Sequence, residues 1–223
     1  FFRLNLVLAV AHEHKVFKRI TRSLFLTFWR KQIVVLGVSA SVTQDVESYC
    51  PGLKEQGRLY TLNNAIDMNQ KARLKSRAEA REQLGLHPND FLLGTVGRLV
   101  VKKNHTLLLN AFAKSEVPDG AKLLLIGSGP EEMSLRKLAN KLSIEDQLVF
   151  LGHVPEAYRY LPALDVFVFS SGEAEAFGIV LLEAMLAETP LISSNASGPA
   201  EVGKDTGWLF DLNNVDDLSM LIS

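Results

Sequence analysis

Two glutamates eight residues apart, Glu175 and Glu183, are suited to bind the hydroxyl groups of a ligand. A buried-looking strand at 165–169 precedes them, and a helix begins near Gly178. Helix N-termini bind anions through free backbone N–H groups, and open α/β sheets bind ligands at the carboxyl ends of their strands. Glu183 lies in the helix among apolar neighbours, so its carboxylate needs a polar partner such as a ribose. Glu175 precedes the helix and is free to accept hydrogen bonds from a sugar.

Cations and glycines follow two earlier strands of the same region. Gly97 lets the backbone turn, while Arg98 offers a planar fork and Lys103 a mobile charge for phosphate oxygens. Gly127 and Gly129 follow the next strand, although the third glycine of a dinucleotide-binding fingerprint is missing. A solvated basic loop explains the first segment equally well, and a plain strand-to-helix turn is the favoured explanation of the second segment taken alone. Joined to the glutamates, they favour a nucleotide-sugar as the ligand.

From residue 91 onward, short apolar strands alternate with helical patterns. Strands are predicted at 91–97, 123–126, 148–151, 166–169 and 191–192, and helices at 104–114, at 130–142 and from about 155 and 178. Pro130 is assigned to the first turn of its helix. Continuous apolar strands that alternate with helices indicate a parallel sheet covered on both faces. We therefore expect a doubly wound α/β domain at 86–223.

The preceding residues are assigned to another domain. Strands are predicted at 1–11, 33–38 and 59–62, a basic helix at 15–31, a helix start at Ser39 and a helix at 76–84. We divide the chain into the end of a first domain at 1–70, a linker helix at 71–85 and the domain at 86–223. Because residue 1 already has a strand pattern and residues 215–223 a helical one, we expect the chain to be a fragment of a longer protein.

Composition narrows the class of protein. Hydrophobic residues make up 47% and charged residues 22%, as in ordinary globular proteins. One cysteine, Cys50, excludes a disulfide framework and fits a reducing compartment. The sequence has no apolar run long enough for a membrane span and no signal-peptide pattern.

The charged residues are distributed unevenly along the chain. Residues 1–103 carry 17 basic and 8 acidic residues, a net charge of +9, whereas residues 104–223 carry 7 and 17, a net charge of −10. This asymmetry predicts two surfaces with different partners.

The motifs together resemble the retaining glycosyltransferase family 4 (glycosyl transferases group 1). The resemblance is carried by Gly-Arg-Leu at 97–99 with Lys103, Gly-Ser-Gly-Pro at 127–130, Glu-Ala-Phe-Gly at 175–178 with Glu183, Gly-Val-Ser at 37–39 and Asn-Asn-Ala-Ile-Asp at 63–67. It covers nearly the whole chain and implies the GT-B fold, in which two Rossmann-like domains face each other across a cleft and the second holds the donor. The family usually has glycine where this chain has Asn64, Ala176 and Glu188, but none of these differences removes a contacting group.

The resemblance also implies roles for individual residues. Arg98 and Lys103 would bind the donor diphosphate and neutralise the departing nucleotide, Glu183 would hold the ribose, and Glu175 the donor sugar. His12 resembles the histidine that the acceptor domain places at the cleft. The remaining donor-binding residues are the glycine of the first turn, those bordering the base, and the backbone N–H groups at the helix start: Gly97, Gly127, Gly129, Gly152, Ala176, Phe177 and Gly178.

The implied reaction moves a sugar from a nucleotide-sugar to a glycan or lipid-linked acceptor with retention of configuration. No cofactor or metal is expected, because the family holds the diphosphate with cations and helix ends. His12 and His14 would share a face of a strand, but they lack a third metal ligand. The resemblance favours bacterial surface polysaccharide or lipopolysaccharide synthesis, in the cytoplasm at the inner face of the cell membrane.

The basic segment at 15–31 has two interpretations. It contains six basic residues and no acidic one, with apolar residues at helical spacing. It could lie on an anionic membrane surface, or it could pack on its own sheet with a solvated basic face. Nucleic acid is not an expected partner, because one short basic helix offers no aromatic platforms for bases.

Two other functions fit the same fold. A nucleotide-sugar epimerase of the GT-B type would need acids and histidines suited to elimination, and would lack the arrangement of Glu175 and Glu183. A non-catalytic module would bind the sugar or nucleotide only, and intact Arg98, Lys103, Glu175 and Glu183 argue against it. Without most of an acceptor domain, however, we expect the fragment itself to be inactive.

Overall fold

Two parallel β-sheets organise the protein. The computed structural model describes residues 7–29 and 31–223. The first sheet has the order β1-β2-β3, formed by Val7–Ala11, Ile33–Gly37 and Leu59–Thr61. With helices α1 (Ile20–Trp29) and α2 (Ala40–Tyr49), it forms the part that we call the N-terminal unit. Residues 1–6 of the strand predicted at 1–11 lie outside the described residues.

The second sheet, in the C-terminal unit, has six parallel strands in the order β6-β5-β4-β7-β8-β9. The strands are β4 (Leu92–Val96), β5 (Lys122–Ile126), β6 (Leu148–Gly152), β7 (Val166–Phe169), β8 (Leu191–Ser194) and β9 (Trp208–Phe210). The chain runs outward from β4 to β6 and then returns to place β7 on the other side of β4. This order is that of a doubly wound Rossmann-like sheet, and its switch point lies between β4 and β7.

Helices cover both faces of this sheet, as the continuous apolar strands predict. The helices are α3 (Arg77–Gln83), α4 (His105–Lys114), α5 (Glu132–Leu142), α6 (Ile179–Leu186), α7 (Ser197–Gly203) and α8 (Val215–Ile222). One buried cluster joins Leu93 and Leu123 to Leu108 and Phe112 of α4. The other joins Leu124 and Phe167 to α6 and to a 3-10 turn at Ala157–Ala163. The predicted α/β architecture is confirmed.

Several local predictions differ from the structure. Among the described residues of the basic segment at 15–31, the helix covers Ile20–Trp29, and residue 30 lies outside the described residues. His12 and His14 follow the end of β1, so they do not share a strand face. Pro130 precedes the helix, whose N-cap is Glu131, and the helix predicted from 155 is the 3-10 turn that contains Pro162. α7 and β9 had no counterpart in the sequence prediction. Among the described helices, none is long and apolar enough to cross a membrane.

The start of α2 was predicted correctly. Ser39 is its N-cap and accepts a hydrogen bond from the N–H of Val42 at 3.1 Å. Gly37, at the end of β2, leaves no room for a side chain, since a Cβ there would lie 2.3 Å from Oγ1 of Thr43. The helix therefore begins tightly packed on the carboxyl end of its strand.

Helix α3, in the predicted linker, is fastened to the C-terminal unit. Arg81 on this helix is 2% exposed. Its guanidinium donates hydrogen bonds to the carbonyls of Ala163 and Asp90, both at 2.9 Å, and to the Asp165 carboxylate at 2.9 Å. Asp165 also accepts from the N–H of Leu92, the first residue of β4. One buried cation thus connects α3 to the beginning of the sheet's central strand.

Candidate active site

A cleft of about 460 Å³ opens at the switch point of the large sheet. We call it the central cleft. His12 and Asn64 of the N-terminal unit line one side of it. The C-terminal unit supplies the opposite wall, which contains the predicted residues Gly97, Arg98, Lys103, Glu175, Ala176, Phe177, Gly178 and Glu183. The structure therefore brings together most of the residues that the sequence singled out.

Lys103 and Glu175 form an ion pair in the central cleft. The Nζ of Lys103 lies 2.6 Å from Oε2 of Glu175, and the two side chains are 17% and 15% exposed. The same Nζ lies 4.9 Å from the centre of the Phe169 ring, within the range of a cation–π contact. The sequence assigned these two residues to different parts of a ligand, but here each neutralises the other. An anion that approaches Lys103 must compete with Glu175.

Arg98 is the free cation of the central cleft. Its side chain is exposed, and it makes no hydrogen bond or ion pair to any residue that the structure describes. It also borders a second cavity of about 240 Å³, which we call the side cavity. A guanidinium that borders two neighbouring cavities can bind the anionic group of a ligand that extends into both.

Loops at the ends of β4 and β7 hold Lys103 in place. A 3-10 turn at Val101–Lys103 follows β4, and Asn104 then takes a left-handed conformation with φ of 51°. The Lys103 carbonyl accepts a hydrogen bond from Oγ of Ser170 at 2.9 Å. The Lys102 carbonyl accepts one from the N–H of Gly172 at 2.9 Å. The two loops are therefore joined by hydrogen bonds at the backbone of Lys102 and Lys103, next to the Lys103–Glu175 pair.

The loop that opens α6 presents its backbone to the central cleft. Within the described residues, the N–H groups of Ala176, Phe177 and Gly178 have no hydrogen-bond acceptor. Gly178 is the helix N-cap with φ of 87°, a conformation that favours glycine. Ala176 is 6% exposed and packs against the apolar cluster of the N-terminal unit. These N–H groups at the positive end of a helix form an anion-binding arrangement next to Glu175.

Glu183 also faces the central cleft, one turn into α6. Burial raises the pKa of its carboxyl group above the usual value. Its side chain has no hydrogen-bond or ion-pair partner among the described residues. A half-buried carboxyl without a protein partner can accept hydrogen bonds from hydroxyl groups of a ligand.

Three of the predicted glycines lie outside the central cleft. Gly127 lines the side cavity, and its N–H donates to the Gly152 carbonyl at 2.7 Å. A Cβ on Gly127 would lie 2.0 Å from the carbonyl oxygen of Gly97, and one on Gly129 would lie 2.3 Å from that of Leu99. Gly127 and Gly129 therefore permit the loop that carries Arg98 to approach its neighbour. Gly152 precedes His153, which lines the side cavity.

A third cavity, of about 310 Å³, was not predicted from the sequence. We call it the polar cavity because most of its lining side chains are charged or polar. The lining residues come from both units and are Glu13, His14, Lys15, Asp45, Lys102, Glu173, Ala174 and Ser197. Lys102 and Glu173 adjoin predicted site residues in the sequence, and that adjacency was the available signal. Asn64, on the wall of the central cleft, was singled out in the sequence only as a member of the motif at 63–67 that departs from the family's usual glycine.

His105 is the first residue of α4 and lines none of the three cavities, so it is not a ligand candidate. It is 4% exposed, and burial followed by the charge of Lys103 lowers the pKa of its imidazole to about 4. It is therefore neutral near neutral pH and adds no charge beside Lys103. Among the described residues, no group of three or more histidine, cysteine or acidic side chains is arranged to hold a metal ion.

Comparisons with known proteins give the family of this chain. The sequence profile of a family described as "Glycosyl transferases group 1" matches residues 76–223. The N-acetyl-alpha-D-glucosaminyl L-malate synthase of Bacillus anthracis is 31% identical over 183 residues, 81% of this chain and 47% of that protein. The lipopolysaccharide core biosynthesis glycosyltransferase LpsE of Rhizobium meliloti is 33% identical over 130 residues, 57% of this chain and 37% of that protein. The chain thus spans about half the length, or less, of these relatives.

Solved structures share the fold. HepE of Anabaena, in complex with UDP, superposes with a TM-score of 0.81 at 22% identity, covering 97% of this chain and 61% of HepE. WaaG, a glycosyltransferase involved in lipopolysaccharide biosynthesis, superposes with a TM-score of 0.74 at 18% identity, covering 99% of this chain and 67% of WaaG. The fold is the predicted GT-B arrangement. With its profile match and its strand order, this chain belongs to the glycosyl transferases group 1 family.

Proposed function

We propose that the full-length protein is a retaining glycosyltransferase of family 4 that uses a nucleotide-sugar donor. The observation that carries this proposal is the wall of the central cleft. There, the free Arg98 guanidinium, the Lys103–Glu175 pair and the unpaired N–H groups at 176–178 lie beside the carboxyl of Glu183. This wall offers positive charge for a diphosphate next to acceptors for sugar hydroxyls. HepE, which shares the fold, is known in complex with UDP-glucose, and that supports the choice of ligand.

The cleft would act chiefly by holding the donor and stabilising its leaving group. As the bond between the anomeric carbon and the diphosphate oxygen breaks, negative charge grows on the diphosphate. Arg98, Lys103 and the N-terminus of α6 would bind that charge more strongly than the charge of the intact donor. The acceptor hydroxyl oxygen forms the new bond to the anomeric carbon, and its proton passes to an oxygen of the departing diphosphate. The positive charge comes from the protein itself, so we propose that no metal or cofactor is needed.

The base would occupy the side cavity and the ribose would lie at Glu183. Arg98 borders both cavities and would contact the diphosphate within the central cleft, on the far side of the ribose from the base. The N–H groups of Phe177 and Gly178 would complete the diphosphate site. This placement orders base, ribose, diphosphate and sugar along one continuous surface.

The acceptor would enter through the polar cavity. It adjoins the central cleft, because Glu173 and Ala174 directly precede Glu175 and Lys102 precedes Lys103. Its lining combines carboxylates with lysines, which suits the hydroxyl groups of a glycan. Relatives named for lipopolysaccharide core synthesis support a role in bacterial surface polysaccharide or lipopolysaccharide assembly.

A transfer assay tests the proposed activity. The full-length protein is incubated with labelled nucleotide-sugars and a panel of glycan and lipid-linked acceptors. We expect transfer from one donor that is lost in Arg98→Ala and retained in Arg136→Ala, because Arg136 is an exposed arginine on α5 paired with Glu132. Transfer should persist with EDTA. Tight nucleotide binding without transfer or hydrolysis would indicate a binding module, and interconversion of the sugar without an acceptor would indicate an epimerase.

We further propose that α1 contacts the inner face of the cell membrane, with the protein in the cytoplasm. Leu24 and Phe28, one turn apart, are 49% and 82% exposed, whereas Leu26 is buried against its own sheet. Lys18 and Arg22 are exposed close by in the chain. An exposed apolar pair with basic neighbours is suited to an anionic lipid surface.

Vesicle flotation tests the membrane contact. We expect the full-length protein to float with vesicles containing anionic lipid and not with neutral ones. Phe28→Asp should abolish flotation, while Met133→Asp, which changes an exposed apolar residue on α5, should not. Equal flotation of the wild type and Phe28→Asp would favour the alternative, in which the basic face is merely solvated.

A further inference from the structure

One carboxylate joins the N-terminal unit to the C-terminal unit. Glu201 of α7 accepts hydrogen bonds from the N–H groups of Ala40 at 2.7 Å and Ser41 at 2.5 Å. These are the first two residues of α2 in the other unit. The bonded residues are 161 and 160 positions apart in the sequence, so this contact exists only when the two units lie together.

The contact completes the N-terminus of α2. The first N–H groups of a helix have no partner inside the helix and lie at the positive end of its dipole. The Ser39 hydroxyl accepts a hydrogen bond from the N–H of Val42, but α2 has no acidic residue in its own first turn. Glu201 therefore supplies from the other unit the carboxylate that a local capping residue would otherwise provide.

Helix α7 is also fastened to the loop that carries Glu175. The Glu173 carboxylate accepts hydrogen bonds from the N–H and Oγ of Ser197, at 3.2 and 3.0 Å. Gly198 lies so close to the loop that a Cβ on it would be 2.4 Å from the carbonyl oxygen of Glu175. A displacement of α7 would therefore move the loop at 173–178, whose backbone lines the central cleft.

We infer that Glu201 is a positioning residue that holds the two units closed over the central cleft. By binding the N-terminus of α2, it fixes α7, and α7 in turn sets the position of the loop that carries Glu175. Glu201 lines none of the three cavities described above. Its effect is therefore on the relative placement of residues that meet the ligand and not on the ligand itself.

Spin labels on the full-length protein test this inference. Labels at Ser48 on α2 and Lys137 on α5, both exposed, report the distance between the two units. In Glu201→Ala we expect a longer and broader distance distribution than in the wild type, with and without UDP. Loss of two charge-assisted hydrogen bonds should weaken UDP binding and raise the donor KM about tenfold, with a smaller change in kcat. The distance in the free protein is informative even if no nucleotide-sugar is turned over.

A double variant separates closure from simple helix capping. Ala40 is exposed at the first position of α2, so Ala40→Asp gives the helix a carboxylate of its own. Glu201→Ala should lower the melting temperature, because the N-terminus of α2 loses its carboxylate. We expect the double variant Ala40→Asp, Glu201→Ala to recover the wild-type melting temperature, while its label distance and KM remain those of Glu201→Ala. If the double variant recovers all three, Glu201 is a helix cap only and the inference fails.

Glu188→Gln is the matched control. Glu188 pairs with Lys71 at 2.6 Å, but both side chains are largely exposed, so this ion pair is worth little. We expect its label distances and UDP affinity to equal those of the wild type. A wild-type distance distribution in Glu201→Ala, or equal changes in Glu188→Gln, would overturn the inference.

Discussion

The two cationic side chains that line the central cleft differ in whether they have an ion-pair partner. Arg98 is exposed and without a partner among the described residues, whereas Lys103 is bonded to Glu175 at 2.6 Å. A diphosphate therefore meets one available guanidinium and one lysine whose charge is already balanced. This difference predicts unequal and non-additive effects when the two residues are changed.

Arg98→Ala should weaken the binding of a nucleoside diphosphate, for which UDP is the probe, by about 1.5–3 kcal/mol, the usual range for a hydrogen bond to a charged group. It should leave uridine binding nearly unchanged. Lys103→Ala should also weaken UDP binding, because it leaves the Glu175 carboxylate facing the diphosphate without its partner. Adding Glu175→Gln to Lys103→Ala should then recover part of the affinity. Calorimetric titration of the full-length protein with UDP and uridine measures both effects, and equal losses for the two ligands would refute the diphosphate assignment.

Glu183 predicts a pH dependence of stability. Burial raises the pKa of its carboxyl above the unfolded value of 4.5, so the unfolded chain ionises first as the pH rises. Stability is therefore lost as the pH increases from that value through the folded-state pKa. Glu183→Gln cannot ionise, and its melting temperature should exceed that of the wild type near pH 7 and approach it below about pH 4. A difference that stays constant with pH would contradict this explanation.

Glu183→Ala should also weaken binding of a ribonucleotide more than binding of its deoxyribose analogue.

The residues of the site could be predicted because their types, order and strand context are all local in the sequence. The Lys103–Glu175 pair could not be predicted, because the two residues are 72 positions apart and only the β4–β7 neighbourhood brings them together. The polar cavity was missed for the same reason, since it needs residues of both units. Gly127 and Gly129 were recognised, but the sequence does not show that their nearest neighbours are backbone oxygens.

At the scale of elements, the strands with continuous apolar runs were predicted, whereas the short elements α7 and β9 were not. β9 has three residues, and α7 contains two glycines and a proline, so neither has a recognisable period. The turn at Ala157–Ala163 lacks the length of a helix and contains Pro162. Local patterns identify an element only when it is long enough to repeat.

The turn after β4 depends on the left-handed backbone of Asn104, with φ of 51°. Asparagine tolerates this conformation, whereas a β-branched residue does not. Asn104→Val should therefore cost about 1–2 kcal/mol of stability and weaken UDP binding, because the strained turn carries Lys103. Asn104→Gly should retain both properties. Urea unfolding and UDP titration measure the two.

Ser143 provides a matched control for Asn104. It has nearly the same backbone, with φ of 57°, at the end of α5 and outside the three cavities. Ser143→Val should lose similar stability without any change in UDP affinity. If Asn104→Val also leaves UDP affinity unchanged, the turn does not position Lys103.

At the scale of the whole molecule, α3, which the sequence predicts as a linker helix, is bonded to the C-terminal unit. The family profile begins at residue 76, the N-cap of this helix. Ser76 and Glu79 form a capping box, so the helix has a defined start. Its connection to the sheet depends on Arg81, which is buried, and on Arg77, which is 47% exposed; both pair with Asp165.

These two arginines make the strength of that connection measurable. Arg81→Ala removes a buried cation and leaves the carbonyls of Ala163 and Asp90 without their donor, so the free energy of unfolding should fall by about 3–5 kcal/mol. Arg77→Ala removes only the exposed partner of Asp165 and should cost less than about 1 kcal/mol. Urea unfolding followed by circular dichroism compares the two variants. If both losses are small, α3 contributes little to the C-terminal unit and acts as a linker after all. A large loss in Arg81→Ala alone would mean that the folded C-terminal unit begins at α3, ahead of its first strand.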